Sequence, residues 1–143
     1  MLQYLAAGAM VTCLVFDFIA MGGLAKQTRQ CIDNSGGRDA CGDIYGINWA
    51  ITTLIAVYGV LIVLMCLMNK IRGMYSKSFI CGSLAMFFYW VVLFADAEIV
   101  IGNTEKKQDG AVASGYVALS IGIPAVMALV SLAPEQRSEE YQS

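Results

Sequence analysis

The sequence predicts an all-α membrane fold: four transmembrane helices in one bundle, with antiparallel neighbours and both termini on the same, cytoplasmic side. Three observations predict it. Four long apolar segments, 2–25, 47–68, 79–101 and 111–133, occupy most of the 143 residues. Each exceeds the ~20 residues whose helix crosses a bilayer core of ~30 Å. Within them fall only three formal charges, Asp17, Asp96 and Glu98. Apolar residues make up 58% of the chain and charged ones 14%, against ~45–50% and ~25% in soluble domains. A soluble bundle this apolar would have no polar face to offer water. The net charge of −2 and the lack of a basic patch interleaved with aromatics exclude nucleic acid as a partner.

Span one, 2–25, is too long for the short core of a cleaved secretory signal and lacks a positive start, so it is expected to stay as an anchor. Leu2 stands where myristoylation needs glycine, and the C-terminus offers no cysteine for prenylation. Ala9, Cys13 and Asp17 lie on one line of this helix, which makes the acid part of its interior face.

The first connection, 26–46, reads as a polar loop. Cys31 and Cys41 flank its turn-rich stretch Asn34-Ser35-Gly36-Gly37. Two readings are open for them. A disulfide would stabilise the loop by roughly 2–3 kcal/mol in the chain-entropy model and put it in an oxidising, exoplasmic space. Two free thiols would put it in a reducing one. The remaining cysteines, Cys13, Cys66 and Cys81, lie in spans as small apolar fillers.

Span two, 47–68, opens with Tyr45 and Trp49 as interfacial anchors, and Tyr75 suits the opposite interface. The link 69–78 carries Lys70, Arg72 and Lys77 with no acid, whereas the first connection dilutes Lys26, Arg29 and Arg38 with Asp33, Asp39 and Asp43. A count of bases alone does not orient the chain. The density of the link and the position of the cysteines favour cytoplasmic termini. Span three, 79–101, carries the run Phe87-Phe88-Tyr89-Trp90 at mid-span, where successive rings point all round the helix.

Span four, 111–133, repeats small residues at Ser114, Ala118 and Gly122, a pattern that lets helix backbones approach. Pro124 removes the hydrogen bond to the Ser120 carbonyl and is a candidate kink. The tail, 134–143, is acidic and expected to be solvated. Short links imply one domain with antiparallel neighbours. The two halves share no matched Gly, Pro or charge positions, which weighs against an inverted-repeat transporter.

The chain has no histidine, so imidazole bases, imidazole ligands and Ser-His or Cys-His pairs are excluded. No C-x-x-C and no phosphate-cradling glycine loop is present. The expectation is a non-enzyme that needs no cofactor and no metal. The intramembrane acids are the chemical candidates, because an aspartate at a helix centre costs about 2.5–3.5 kcal/mol on insertion scales. Asp17 is the deepest. Asp96 lies in the same half of the membrane, and Glu98 is near enough to its span end to snorkel.

No Lys or Arg falls within a span, so Asp17 has no intrachain cation at its depth. Thr12, Asn48, Tyr58, Ser114 and Tyr116 are its candidate hydrogen-bond donors. Three readings are open: a protonated, hydrogen-bonded carboxyl; a proton or cation site; and a partner for another subunit's basic residue.

The order of spans, the longer first connection, the short basic link and the stretch Phe87-Phe88-Tyr89-Trp90-Val91-Val92-Leu93-Phe94-Ala95-Asp96-Ala97 resemble the MARVEL-like tetraspan proteins. The chain lacks the second cysteine pair of the synaptophysin-like branch, and it lacks the Gly-Leu-Trp motif of claudin-like families. The resemblance implies membrane apposition, microdomain organisation or cargo trafficking, with no catalytic residues. The resulting expectation is a membrane organiser or accessory subunit in a plasma or secretory-pathway membrane. Its partners would be the lipid bilayer and either copies of itself or a larger membrane complex. The competing expectation is a small ion- or proton-coupled transporter or channel subunit built on Asp17, which superficially resembles the first-span acid of minimal four-helix multidrug exporters.

Overall fold

The computed structural model describes residues 1–35, 38–68, 70, 73–102 and 110–133. These residues form four helices: α1 (Leu2–Ser35), α2 (Arg38–Leu67), α3 (Met74–Gly102) and α4 (Gly110–Leu132). All four are long and apolar enough to cross a membrane, which fits a multi-pass membrane protein. The tail 134–143, the third connection 103–109, Gly36, Gly37 and Arg72 lie outside the described residues, as does the side chain of Glu98.

The first connection is not the loop expected from its polarity. Helix α1 continues to Ser35 and α2 already begins at Arg38. The reason is local. Residues 26–35 include helix formers such as Lys26, Gln27, Arg29 and Gln30 and contain no proline, so the backbone has no cause to stop where the apolar stretch stops. At 34 residues, α1 is about 50 Å long and outruns a ~30 Å hydrocarbon core. The sulfurs of Cys31 and Cys41 lie 2.11 Å apart, at disulfide distance, across the two helical extensions. Just inside them, the Trp49 indole donates to Thr28 Oγ1 at 3.1 Å, and the Thr28 hydroxyl donates to the Leu24 carbonyl at 2.8 Å. Trp49 therefore ties α2 to α1, beyond its expected part as an anchor.

Each helix buries one narrow seam. On α1 it is Ala6, Met10, Cys13, Asp17, Ala20 and Leu24; on α4 it is Val112, Tyr116, Leu119, Ile123, Val126 and Val130. The seam of α3 runs through Lys77, Ile80, Leu84, Phe87, Val91 and Ala95, and that of α2 through Thr52, Ile55, Ile62 and Cys66. With Gly59 also buried on α2, the seams advance in steps of three and four residues along all four. That spacing is the signature of left-handed, knobs-into-holes packing, which most transmembrane bundles share.

The helices are arranged in the order α2, α1, α4, α3. Helix α1 packs broadly on α4 and on α2, and α3 packs on α4. Helices α2 and α3, joined by a short link, barely meet. The packing expected of short links is thin at this one, where aromatic rings make the contact. Tyr58 of α2 is wedged against Phe79 and Phe87 of α3, with ring centroids 6.4 and 5.5 Å apart. Helices α1 and α4 instead come close. A Cβ added at Gly115 would lie 2.8 Å from the Ala20 Cβ and 3.0 Å from the Phe16 carbonyl oxygen; one at Gly122 would lie 2.5 Å from the Cys13 sulfur. Lys77, buried at the start of α3, donates its ammonium to the Ala133 carbonyl just past the end of α4. A cation there meets the negative end of the helix dipole.

The close approach makes a specific prediction. Gly115→Ala pushes a methyl group into backbone, which cannot rotate away, and should cost about 1–3 kcal/mol. Gly22, with nothing within 4 Å of its would-be Cβ, should accept alanine with a gain of up to about 1 kcal/mol in helix propensity. Thermal unfolding of both variants in one mild detergent reads the difference. Equal effects would mean that α1 and α4 do not touch at Gly115.

Candidate functional site

Helix α1 presents Asp17 on its seam because Cys13 lies four residues before it and Ala20 three residues after it, all on one face. Those two neighbours are the residues that meet Gly122 and Gly115 of α4. The carboxyl therefore sits between two close contacts of α1 with α4. Asp17 is 0% exposed, and neither of its oxygens has a hydrogen-bond partner among the described residues.

None of the expected donors reaches it. The Thr12 hydroxyl turns outward and donates to its own helix at the Gly8 carbonyl, 3.1 Å away. Tyr58 faces α3, and its hydroxyl is buried without a partner. Ser114 lies on the exposed side of α4, and Asn48 is half-buried at the start of the α2 span. The Tyr116 ring, fully buried, packs against Phe94 of α3 with centroids 5.6 Å apart. Thr52, the buried hydroxyl that sequence reasoning passed over, donates to the Asn48 carbonyl at 2.8 Å.

This geometry separates the three readings of Asp17. Another subunit's base reaches the buried carboxyl only if α1 and α4 part. The hydrogen-bonded carboxyl lacks its donors. A proton or cation site keeps its oxygens, which are free, but gains no companion ligands: the described residues contain no group of three or more His, Cys, Asp or Glu side chains able to hold a metal ion. Asp96 is exposed at the far end of α3 and does not share the seam.

The small-residue stripe of α4 divides. Gly122 makes a close contact with Cys13, Ala118 is half-buried, and Ser114 is exposed. The second close contact belongs to Gly115, seven residues before Gly122. Pro124 lies on the exposed side of an otherwise continuous α4, and the Ser120 hydroxyl donates back to the Val117 carbonyl at 2.7 Å. Of the aromatics, Tyr45 and Trp49 are half-buried and Tyr75 is 92% exposed at the link. Phe87 is buried and Tyr89 exposed, so the mid-span run does point around its helix.

Sequence reasoning missed Lys77 as a buried cap, Gly115 as a contact and Tyr58 as a wedge. The seven-residue spacing from Gly122 was a usable signal for Gly115. The other two had none, because their roles depend on which helices meet. No protein-family model, curated protein or solved structure is significantly similar to this chain.

A buried carboxyl without partners costs stability, and the leucine side chain matches it in shape. Asp17→Leu should therefore raise stability by about 1–3 kcal/mol, the range for relieving an unsatisfied buried group. Thermal unfolding in detergent measures it. A loss of similar size would show that the carboxyl is paired in the membrane.

Proposed function

We propose that the chain is a non-enzymatic tetraspan that organises membranes or accompanies a larger membrane assembly, in the manner of the MARVEL-like proteins it resembles. The observation that carries this reading is the uneven ring of helices. Helices α1 and α4 form the closed spine, while α2 and α3 stand on its flanks with an unsealed seam between them. Their outward faces carry Leu54, Val57, Leu61, Phe79, Met86, Tyr89 and Leu93, all exposed and apolar or aromatic. Such faces suit lipid and partner helices alike.

In the same reading, neighbouring helices run antiparallel and both termini lie on one face of the membrane. Support comes from Gly122 meeting Cys13 while Gly115 meets Ala20, and from Lys77 meeting Ala133 while Phe94 meets Tyr116. The Cys31–Cys41 pair, at disulfide distance, favours an oxidising space around the α1–α2 connection. The termini and the basic link are then cytoplasmic, and the membrane is plasma or secretory.

The test is native extraction in mild detergent at native expression. The expected result is a homo-oligomer or a defined larger complex. A strictly monomeric protein that copurifies with nothing contradicts the reading.

One observation favours a second reading. Two buried carboxyl oxygens without a hydrogen-bond partner among the described residues are what a proton- or cation-coupled transporter would keep. Reconstituted vesicles separate the two: the scaffold reading expects no acid-dependent flux, and the transporter reading expects flux that Asp17→Asn abolishes.

A further inference from the structure

The α1–α4 seam selects the ion that Asp17 can hold. Cys13 against Gly122 and Ala20 against Gly115 set one register, in which Asp17 comes level with Ala118 and Leu119, midway between the two close contacts. Leu119 is fully buried there, and so is the carboxyl. A metal cation needs a shell of several oxygen ligands. The facing residues of α4, Gly115, Ala118, Leu119 and Gly122, carry no side-chain oxygen. Helix α1 runs unbroken over Leu2–Ser35, so its carbonyls around Asp17 are occupied by their own helical hydrogen bonds. A proton needs no shell, and it leaves a neutral acid that a tight apolar contact can enclose.

No charge faces the carboxyl from the helices packed against α1. Helix α4 carries no charged residue over Gly110–Leu132, and its one tyrosine, Tyr116, turns its ring to Phe94 of α3. Helix α2 carries none from Ile44 to Leu67, and its mid-span Tyr58 ring turns to α3 as well. On α1 itself the titratable neighbour is the buried thiol of Cys13, one turn away. An ionised Asp17 in the closed seam would be a buried charge with neither counter-charge nor hydrogen-bond donor, which proteins avoid at large cost. Parting α1 from α4 admits water and removes that cost.

We propose that Asp17 is a proton-binding site that latches the spine: α1 and α4 close over the carboxylic acid, and loss of its proton parts them between Gly115 and Gly122. In the opening step the O–H bond breaks, its electron pair stays on the carboxylate, and entering water takes the proton. The closed form holds one proton more than the open form. Acid therefore favours closure, and rising pH shifts the balance toward opening by up to about tenfold per pH unit. This deepens the second reading by naming its ion, yet it needs no flux, since a latch serves a scaffold equally.

The test uses the full chain in lipid nanodiscs with Cys66→Ala and Cys81→Ala, which leaves Cys13 as the one free thiol outside the Cys31–Cys41 pair. Infrared difference spectra against Asp17→Asn should show the carbonyl stretch of one carboxylic acid, fading as pH rises. Over the same range Cys13 should open to a small neutral methanethiosulfonate. The Asp17→Asn chain, which cannot ionise, corrects for the titration of the thiol itself, and Asp17→Leu is a second uncharged reference. The ratio of labelling rates, Asp17 over either reference, should climb by up to about tenfold per pH unit. Three results would overturn the proposal: no carboxylic acid band belonging to Asp17, a band that titrates while the labelling ratio stays flat, or closure by sodium or potassium at constant pH in place of acid. The last would assign the site to a metal cation. Absence of flux in vesicles would remove the transporter reading alone and leave both readouts as expected.

Discussion

The close approach of α1 and α4 is the constraint on which the rest of the structure depends. Between helices in lipid there is no hydrophobic force, because lipid tails are as apolar as leucine. What remains is dispersion, which falls steeply with a fraction of an ångström of separation. Gly115 and Gly122 remove the side chains that would hold the axes apart, and Ala20 and Cys13 of α1 fill the space opposite them. The gain is a long line of contacts. Its consequence is that α1 and α4 take the centre, with α2 packed on α1 and α3 packed on α4.

That arrangement explains two features that otherwise look unrelated. Asp17 is sealed because it lies between the two glycine contacts, with α4 closing over it. The α2–α3 seam is unsealed because both helices are committed to the spine, and the Tyr58, Phe79 and Phe87 rings fill only part of the gap. A closed seam holding an unsatisfied acid and an open seam lined by rings are two outcomes of one packing choice. The Cys31–Cys41 pair and the Trp49–Thr28 bond tie α1 to α2 near the α1–α2 connection.

The spans were legible in the sequence because crossing a bilayer demands an apolar run of a certain length, and four such runs stand out. The ends of α1 and α2 were not. Hydropathy marks where the membrane stops, whereas the helix stops where propensity does, near Ser35 and Arg38. The face of each helix was also hidden, since helices apolar all round show no amphipathic stripe. Small residues gave a partial substitute. Cys13 and Asp17 were placed on the interior of α1, and they are buried there. On α4 the four-residue repeat led from Gly122 to Ser114, which is exposed. Four residues advance 40° beyond a full turn, so such a stripe drifts off a seam that returns every 3.5 residues. Gly115, seven residues from Gly122, stays on it. The lack of donors around Asp17 could not be read from the sequence, because Thr12, Tyr58 and Ser114 have suitable chemistry but face elsewhere.

The order of helices is the central claim, and intramembrane cross-linking tests it most directly. In native membranes, with Cys66 and Cys81 replaced by serine, Gly122→Cys offers a thiol to the native Cys13, and mild oxidation should join α1 to α4 rapidly. In a background that also lacks Cys13, a cysteine pair at Val60 and Ser83, on α2 and α3, should join slowly or not at all. Rapid joining of α2 to α3 with no bond between residues 13 and 122 would contradict the account.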